Sequence, residues 1–200
     1  NLVYETETGI LHNTTPRFRR AAGGESPLCR KDTHMARDIC LHALNAAEHA
    51  EDALDLATRA ADYAVLEIGR VPDKAYIDDF FRAHPPGLDS DCLLHFGVME
   101  GPAMVGMICI ERGYEFHDDW LIGLMLIDPA FRGQQIGHKV VSLVKDRDRR
   151  AEVNMLKLAV LRANPRALRF WHREGFTFHR DAPALPGSDG HDRVVLKCQL

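Results

Sequence analysis

Two glycines stand four apart in PAFRGQQIGHKV, residues 129–140: Gly133 and Gly137, with the polar side chains of Arg132, Gln134, Gln135 and His138 around them. The apolar run WLIGLMLID precedes the segment and a helical pattern follows, so it reads as strand, turn, helix. Such a junction aims several backbone N–H groups and the positive end of a helix dipole at one point, which suits a phosphate. The glycines let backbone approach a ligand closely, while Arg132 and His138 offer charge or donors. The spacing is RxxQxG, which is neither the Walker A pattern GxxxxGK[ST] nor the dinucleotide pattern GxGxxG.

The elements that must hold this turn follow from periodicity. Residues 1–38 mix Thr, Arg, Gly and Pro without sustained period and read as an irregular or partner-docked arm; residues 39–200 read as one domain. Ile39–Leu44 is a short strand. Asn45 has the spacing of a helix N-cap, with Glu48 three residues on. Behind it Leu54, Ala57, Ala61, Val65 and Ile68 recur at helical spacing up to Gly69, and a second helix spans Pro72–Ala83. CLLHFGVME and AMVGMICIER are strands joined at Gly101-Pro102. After the quoted turn, Ile136, Val140, Leu143 and Val144 form one apolar helix face. MLKLAVLR is a buried strand. Asn164-Pro165 through Gly175 outlines a short helix with Asn as N-cap, Pro at the first helical position and Gly past the end. Two strands close the chain.

At 200 residues, 46% hydrophobic and 27% charged, the chain supports one well-buried core. Five widely spaced cysteines without a CxxC pair suit free thiols in a reducing, cytoplasmic compartment and argue against a disulfide framework or zinc ribbon. No run is long and apolar enough to span a bilayer, and the first ten residues lack the pattern of a signal peptide, so no membrane is expected. His42 and His49 fall on different elements, and no metal site is expected. Charge is segregated: residues 48–119 carry 16 acidic and 5 basic side chains, residues 128–173 carry 4 acidic and 11 basic. Such asymmetry fits partners of opposite charge on the two parts.

IDPAFRGQQIGHKVV resembles the acyl-CoA-binding segment of the GNAT superfamily of N-acetyltransferases, and LRANPRALRFWHREGFTF resembles that family's second motif. The resemblance implies an α/β (α+β) fold: a mixed, mostly antiparallel twisted sheet flanked by helices, whose fourth and fifth strands, here Trp120–Asp128 and Met155–Arg162, splay apart. It implies acetyl-CoA as acyl donor and no metal. By carry-over, Met125, Leu126 and Ile127 offer main-chain groups to the pantetheine arm. The amides of Arg132, Gly133, Gln134, Gln135, Ile136, Gly137 and His138 cradle the pyrophosphate, and Asn164, Arg166, Phe170 and Trp171 line the other wall. Two positions depart from the pattern: Gln135 stands where the family has its first glycine, and Trp171 stands where many members place a tyrosine acid, a role that indole cannot fill.

Attack of an amine on a thioester needs a neutral amine, a polarised carbonyl and aligned reactants. Many relatives take the amine's proton on a Glu of the fourth strand, but the aligned position is Gly123. That leaves Glu115, His117, Asp118 and Asp119 in the loop before the strand, with Asp119 and Glu115 favoured as catalytic residues because carboxylates also attract a cationic substrate. The alternative for EFHDDW is a solvated polar loop. The leading reading is an acetyl-CoA-dependent N-acetyltransferase acting on a small-molecule amine, or else on a protein lysine or N-terminus. The resemblance admits a homodimer, which this fold often forms, and the sequence does not settle the oligomeric state. Competing readings are a CoA-binding regulatory module without turnover and an acetyltransferase acting on aminoacyl-tRNA, for which the basic segment and the RFRR arm would serve; otherwise no nucleic-acid partner is expected.

Overall fold

In a computed structural model of the chain the described residues are 28–29, 38–84, 89–151, 153–184 and 190–200. The RFRR stretch and most of the expected arm lie outside them. In chain order the elements are β1 (Leu28–Cys29), β2 (Ile39–Ala43), α1 (Ala46–Arg59), α2 (Ala61–Ile68), α3 (Lys74–Arg82), β3 (Leu93–Glu100), β4 (Ala103–Arg112), β5 (Asp119–Ile127), α4 (Ile136–Arg150), β6 (Met155–Leu161), α5 (Pro165–Arg173), β7 (Thr177–Ala182) and β8 (Arg193–Gln199). The strands form one sheet in the order β1-β2-β3-β4-β5-β6-β8-β7. Every neighbouring pair is antiparallel except β5–β6, which is parallel. This is the expected mixed, mostly antiparallel sheet.

Local chemistry sets the helix ends. Asn45 Oδ1 accepts from the Glu48 amide at 3.0 Å while Asn45 Nδ2 donates to Glu48 Oε2 at 2.8 Å. Asp73 caps α3 by accepting from the Tyr76 amide, and Asn164 caps α5 by accepting from Ala167 N at 3.0 Å, with Pro165 at the first helical position. Each cap satisfies an amide that the helix itself leaves unpaired.

The sheet is covered on both faces. On one, Ile136, Val140, Leu143 and Val144 of α4 join Trp171 of α5 and Phe176 over Phe96, Ile108, Ile110, Trp120, Ile122, Leu156, Leu158 and Leu196. On the other, Ala53, Leu56 and Ala57 of α1 with Ile77 and Phe80 of α3 cover Met107, Cys109, Leu124 and Leu126. Burying such apolar side chains contributes roughly 1.5–3 kcal/mol each.

The first helix differs from the sequence reading in two ways. It breaks at Ala60, which leaves helical geometry at φ −99°, ψ 29°, and so becomes α1 and α2. Its buried stripe runs through Ala53, Leu56, Ala57, Ala60 and Ala64, and Val65 is 47% exposed. Alanines let the helix backbone lie close to the sheet, and that tertiary fit outweighs the larger side chains one position along.

Candidate active site

The site begins where two strands part. β5 and β6 pair from Asp119↔Met155 to Ile122↔Leu158, and beyond that both strands continue without pairing to each other. In the same place the β4–β5 ladder slips: Ile110 faces Ile122 and Cys109 faces Leu124, so Gly123 is an extra residue, a bulge at the apex of the wedge. β5 stays bonded to β4 as far as Ile127. Its main-chain groups aimed at β6 therefore face the opening from Gly123 onward. Met125 and Ile127 are half-buried there, while Leu126 points to the opposite core.

The turn after β5 is built by its own side chains. Asp128 accepts from Ala130 N at 2.9 Å and sets a short 3-10 turn over Pro129–Phe131. Gly133 follows at φ 80° and Gln135 at φ 62°, both left-handed, before α4 starts. The first hydrogen bond of α4 runs from Lys139 N to Gln135 O at 3.1 Å. Among the described residues no acceptor meets the amides of residues 133–138. A Cβ built on Gly133 meets nothing within 4 Å. These six donors at the positive end of a 15-residue helix form an open anion cradle, and the cradle fits a pyrophosphate. Gln135 supplies its amide from a backbone conformation that costs a non-glycine residue roughly 1–2 kcal/mol.

The two expected walls meet. A Cβ on Gly137 would lie 3.1 Å from Cε2 and Cζ of Phe170 and 3.9 Å from the Met125 methyl. Gly137 is thus where α4, α5 and β5 close up, and the space its missing side chain leaves is taken by Phe170. Trp171 is 7% exposed and stacks edge-on with Phe170 at 5.0 Å and Phe176 at 5.1 Å, inside the core.

Several polar side chains from the motifs brace the scaffold. Arg132 folds back: its Nε donates to Ile127 O at 2.9 Å and its two terminal nitrogens grip Asp62 of α2 at 2.5 and 2.9 Å. The Arg132 hydrogen bond holds the Asp62 carboxyl below the usual carboxylate value against a smaller opposing effect of burial, and Arg166 lies close enough to add to the lowering. Gln134 donates to Ala130 O, and His138 Nδ1 meets Glu174 Oε2 at 2.9 Å.

Glu115 and Asp119 come together with each other and with a lysine. Lys157 of β6 is 5% exposed and reaches Glu115 Oε2 at 2.5 Å and Asp119 Oδ2 at 2.6 Å; Arg180 approaches Glu115 at 3.6 Å. Burial pulls the Lys157 ammonium down, but the hydrogen bonds and charges of the two carboxylates outweigh it and leave its pKa raised. This cluster sits toward the closed end of the wedge, with Asp119 about 13 Å along β5 from Gly123 and Lys157, registered with Leu121, about half as far.

Sequence reasoning missed the residues that roof the opening. α2 is held at its start by Asp62–Arg132, on the β5 side, and at its end by Glu67, which lies 3.7 Å from Arg193 of β8 and accepts from Tyr63 Oη at 3.2 Å. Arg193 is registered with Leu161 at the far end of β6, so α2 spans from one arm of the wedge to the other. Burial, the largest influence, raises the Glu67 pKa although Arg193 opposes it. Below, Ala159 is exposed although it stands mid-strand on β6, so part of the sheet surface beside the apex is open. Glu111 of β4 is 0% exposed and lies beside Gly123. The lysine inside MLKLAVLR and the glutamate of MICIER were visible signals of polar groups on buried strands. Among the described residues no group of three or more His, Cys, Asp or Glu side chains is arranged to hold a metal ion, and no helix is long and apolar enough to cross a membrane.

Comparison with known proteins agrees with this architecture. The acetyltransferase (GNAT) family profile matches residues 51–176. A probable acetyltransferase of the GNAT family from Chromobacterium violaceum ATCC 12472 is 17% identical, over 98% of this chain and 96% of that one, with a TM-score of 0.67. The spermidine N-acetyltransferase of Vibrio cholerae, solved in complex with CoA and spermine, is 14% identical over 80% and 95% of the two chains, with a TM-score of 0.62. The ribosomal-protein-S18-alanine N-acetyltransferase of Escherichia coli is 15% identical over 80% and 93%, with a TM-score of 0.60. No curated protein matches the sequence. A profile covering well over half of the chain, together with the parallel pair that parts at a bulge before a donor-lined turn, gives one conclusion: the chain belongs to the GNAT family of acetyltransferases.

Proposed function

We propose that the chain is an acetyl-CoA-dependent N-acetyltransferase whose acceptor is a primary amine, on a small molecule or at a peptide lysine or N-terminus. The observation that carries this reading is the continuity of the wedge with the cradle: β5 leads from an open apex at Gly123 to six unpaired amides at the start of α4. When bound, acetyl-CoA would supply an acyl group activated as a thioester. The amides of Gly133 to His138 hold the pyrophosphate, and the backbone of Met125 to Ile127 holds the pantetheine arm. Phe170, packed on Gly137, closes the second wall beside Asn164 and Arg166. Trp171 supports Phe170 from behind, and Arg132 fixes the turn by tying Ile127 to α2. α2, tied to both arms by Asp62–Arg132 and Glu67–Arg193, leaves the acceptor an approach over Ala159.

The spermidine and S18-alanine enzymes share the fold and act on amines of very different size, which supports the acceptor's chemical class and leaves its shape to the roof. Cys92, Cys109 and Cys198 are free thiols, in keeping with a reducing cytoplasm as the place of action. The test is release of free CoA thiol from acetyl-CoA in the presence of ethylamine, spermidine or a short peptide beginning with alanine. Thiol release that requires one of these amines is the expected result; binding of acetyl-CoA with no amine-dependent release contradicts the enzymatic reading and leaves a CoA-binding module.

A further inference from the structure

The bulge at Gly123 leaves a space on β5, and a carboxyl from the neighbouring strand fills it. A Cβ built on Gly123 would lie 2.7 Å from Glu111 Oε1 and 4.0 Å from Cys109 Sγ. Glu111, Leu121 and Lys157 stand in one register row across β4, β5 and β6, so Glu111 lies on the sheet face that carries Lys157 and, two residues further along β6, the exposed Ala159. Its charge is felt on both sides. Burial chiefly, and Glu111 after it, push up the Cys109 thiol; burial, Glu115 and Glu111 push up the Tyr114 phenol.

We propose that Glu111, reaching across from β4 to the wedge apex, accepts the proton of the acceptor amine, a task for which β5 offers only Gly123. The inference rests on the N-acetyltransferase reading and adds the group that makes it work. The ammonium nitrogen gives one proton to a Glu111 carboxylate oxygen, directly or through one water. The freed lone pair forms the C–N bond as the C–S bond breaks. The sulfur keeps the bond's electron pair and takes the second N–H proton, and Glu111 returns its own proton to solvent. Glu115 and Asp119 then serve a positioning role, holding Lys157 at the closed end of the wedge.

Glu111→Gln keeps the shape and removes the base. Acetyl-CoA should raise the melting temperature of this variant as much as that of the parent, because Glu111 stands outside the cradle. With whichever of ethylamine, spermidine and the alanine peptide the parent acetylates, kcat should fall at least about 100-fold, the usual worth of a positioned base. The residual rate should climb about tenfold per pH unit as the free-amine fraction grows. Moving the carboxylate onto β5, in Glu111→Ala with Gly123→Glu, should recover at least about tenfold over Glu111→Ala alone. Independently of turnover, the protonated-carboxyl infrared band that Glu111→Gln removes should disappear below the pH at which the enzyme works. Cys109, Tyr114 and, in the same register row, Lys157 are among the titratable groups around it in that measurement. A Glu111→Gln rate within about threefold of the parent, or a band that persists above working pH, overturns the assignment. A parent that binds acetyl-CoA yet acetylates none of the amines overturns the N-acetyltransferase reading itself.

Discussion

Asp148 gives the sharpest quantitative prediction. It lies on the inner face of α4 at 0% exposure, and neither carboxyl oxygen meets a hydrogen-bond partner among the described residues. Burial is the main influence and Arg147 opposes it only in part, so the carboxyl pKa is raised from 3.8 to about 7. In the unfolded chain the group ionises near its ordinary value. Between the two values the unfolded state loses its proton while the folded state keeps it, and folding free energy declines by about 1.4 kcal/mol per pH unit. The decline begins near the unfolded value and levels off above the folded one, reaching about 4 kcal/mol in all. That is a large part of the roughly 5–15 kcal/mol that holds a domain together. Asp148→Asn keeps the shape and cannot ionise. Urea unfolding of parent and variant from about pH 5 to 8 should show a stability gap in the variant's favour that widens by about 3 kcal/mol, nearly all of it below about pH 7. Parallel curves across that window would refute the reasoning, because they would mean that Asp148 keeps a partner or reaches water.

Other consequences follow from the turn and the lysine cluster. Gly137→Ala should cost about 1–3 kcal/mol by driving a methyl into the Phe170 ring, with a melting temperature partly restored by Phe170→Leu. Gln135→Gly should leave stability unchanged or raise it by up to about 1 kcal/mol, since released left-handed strain is offset by unfolded-chain entropy; Gln135→Val should lower it by more than about 1 kcal/mol, as thermal melts will report. Lys157→Met should destabilise by about 3 kcal/mol in urea titrations by leaving Glu115 and Asp119 facing each other, and Glu115→Gln with Asp119→Asn on that background should recover much of the loss.

What could be read ahead of the structure was local. The caps at Asn45 and Asn164, the stop at Gly69 and the glycine after α5 depend on a few adjacent residues, and each stands where its chemistry puts it. The strand–turn–helix of the cradle is equally local. The break at Ala60 is not: Asp62 and Glu67 find Arg132 and Arg193 only once α2 is swung across the wedge, and those partners are 70 and 126 positions away. Glu111 was hidden for a related reason. Its relation to Gly123 depends on a one-residue slip in the β4–β5 ladder, which no periodicity along one strand reports. The pairing of β1 with β2 likewise brings two residues of the expected arm into the sheet through the register of Leu28 with Leu41 and Cys29 with Cys40.

The central claim is that the turn after β5 holds the pyrophosphate of acetyl-CoA, and a matched pair of substitutions tests it most directly. Gly133→Asp and Gly133→Asn both occupy open space at a left-handed residue, a conformation that these two side chains tolerate better than most, and they differ by one charge. Titration calorimetry with acetyl-CoA should show binding to the parent and to the Asn variant, and at least about tenfold weaker binding to the Asp variant, since an added carboxylate in the cradle repels the phosphates. No binding to the parent, or equal affinities for the Asp and Asn variants, would contradict the account.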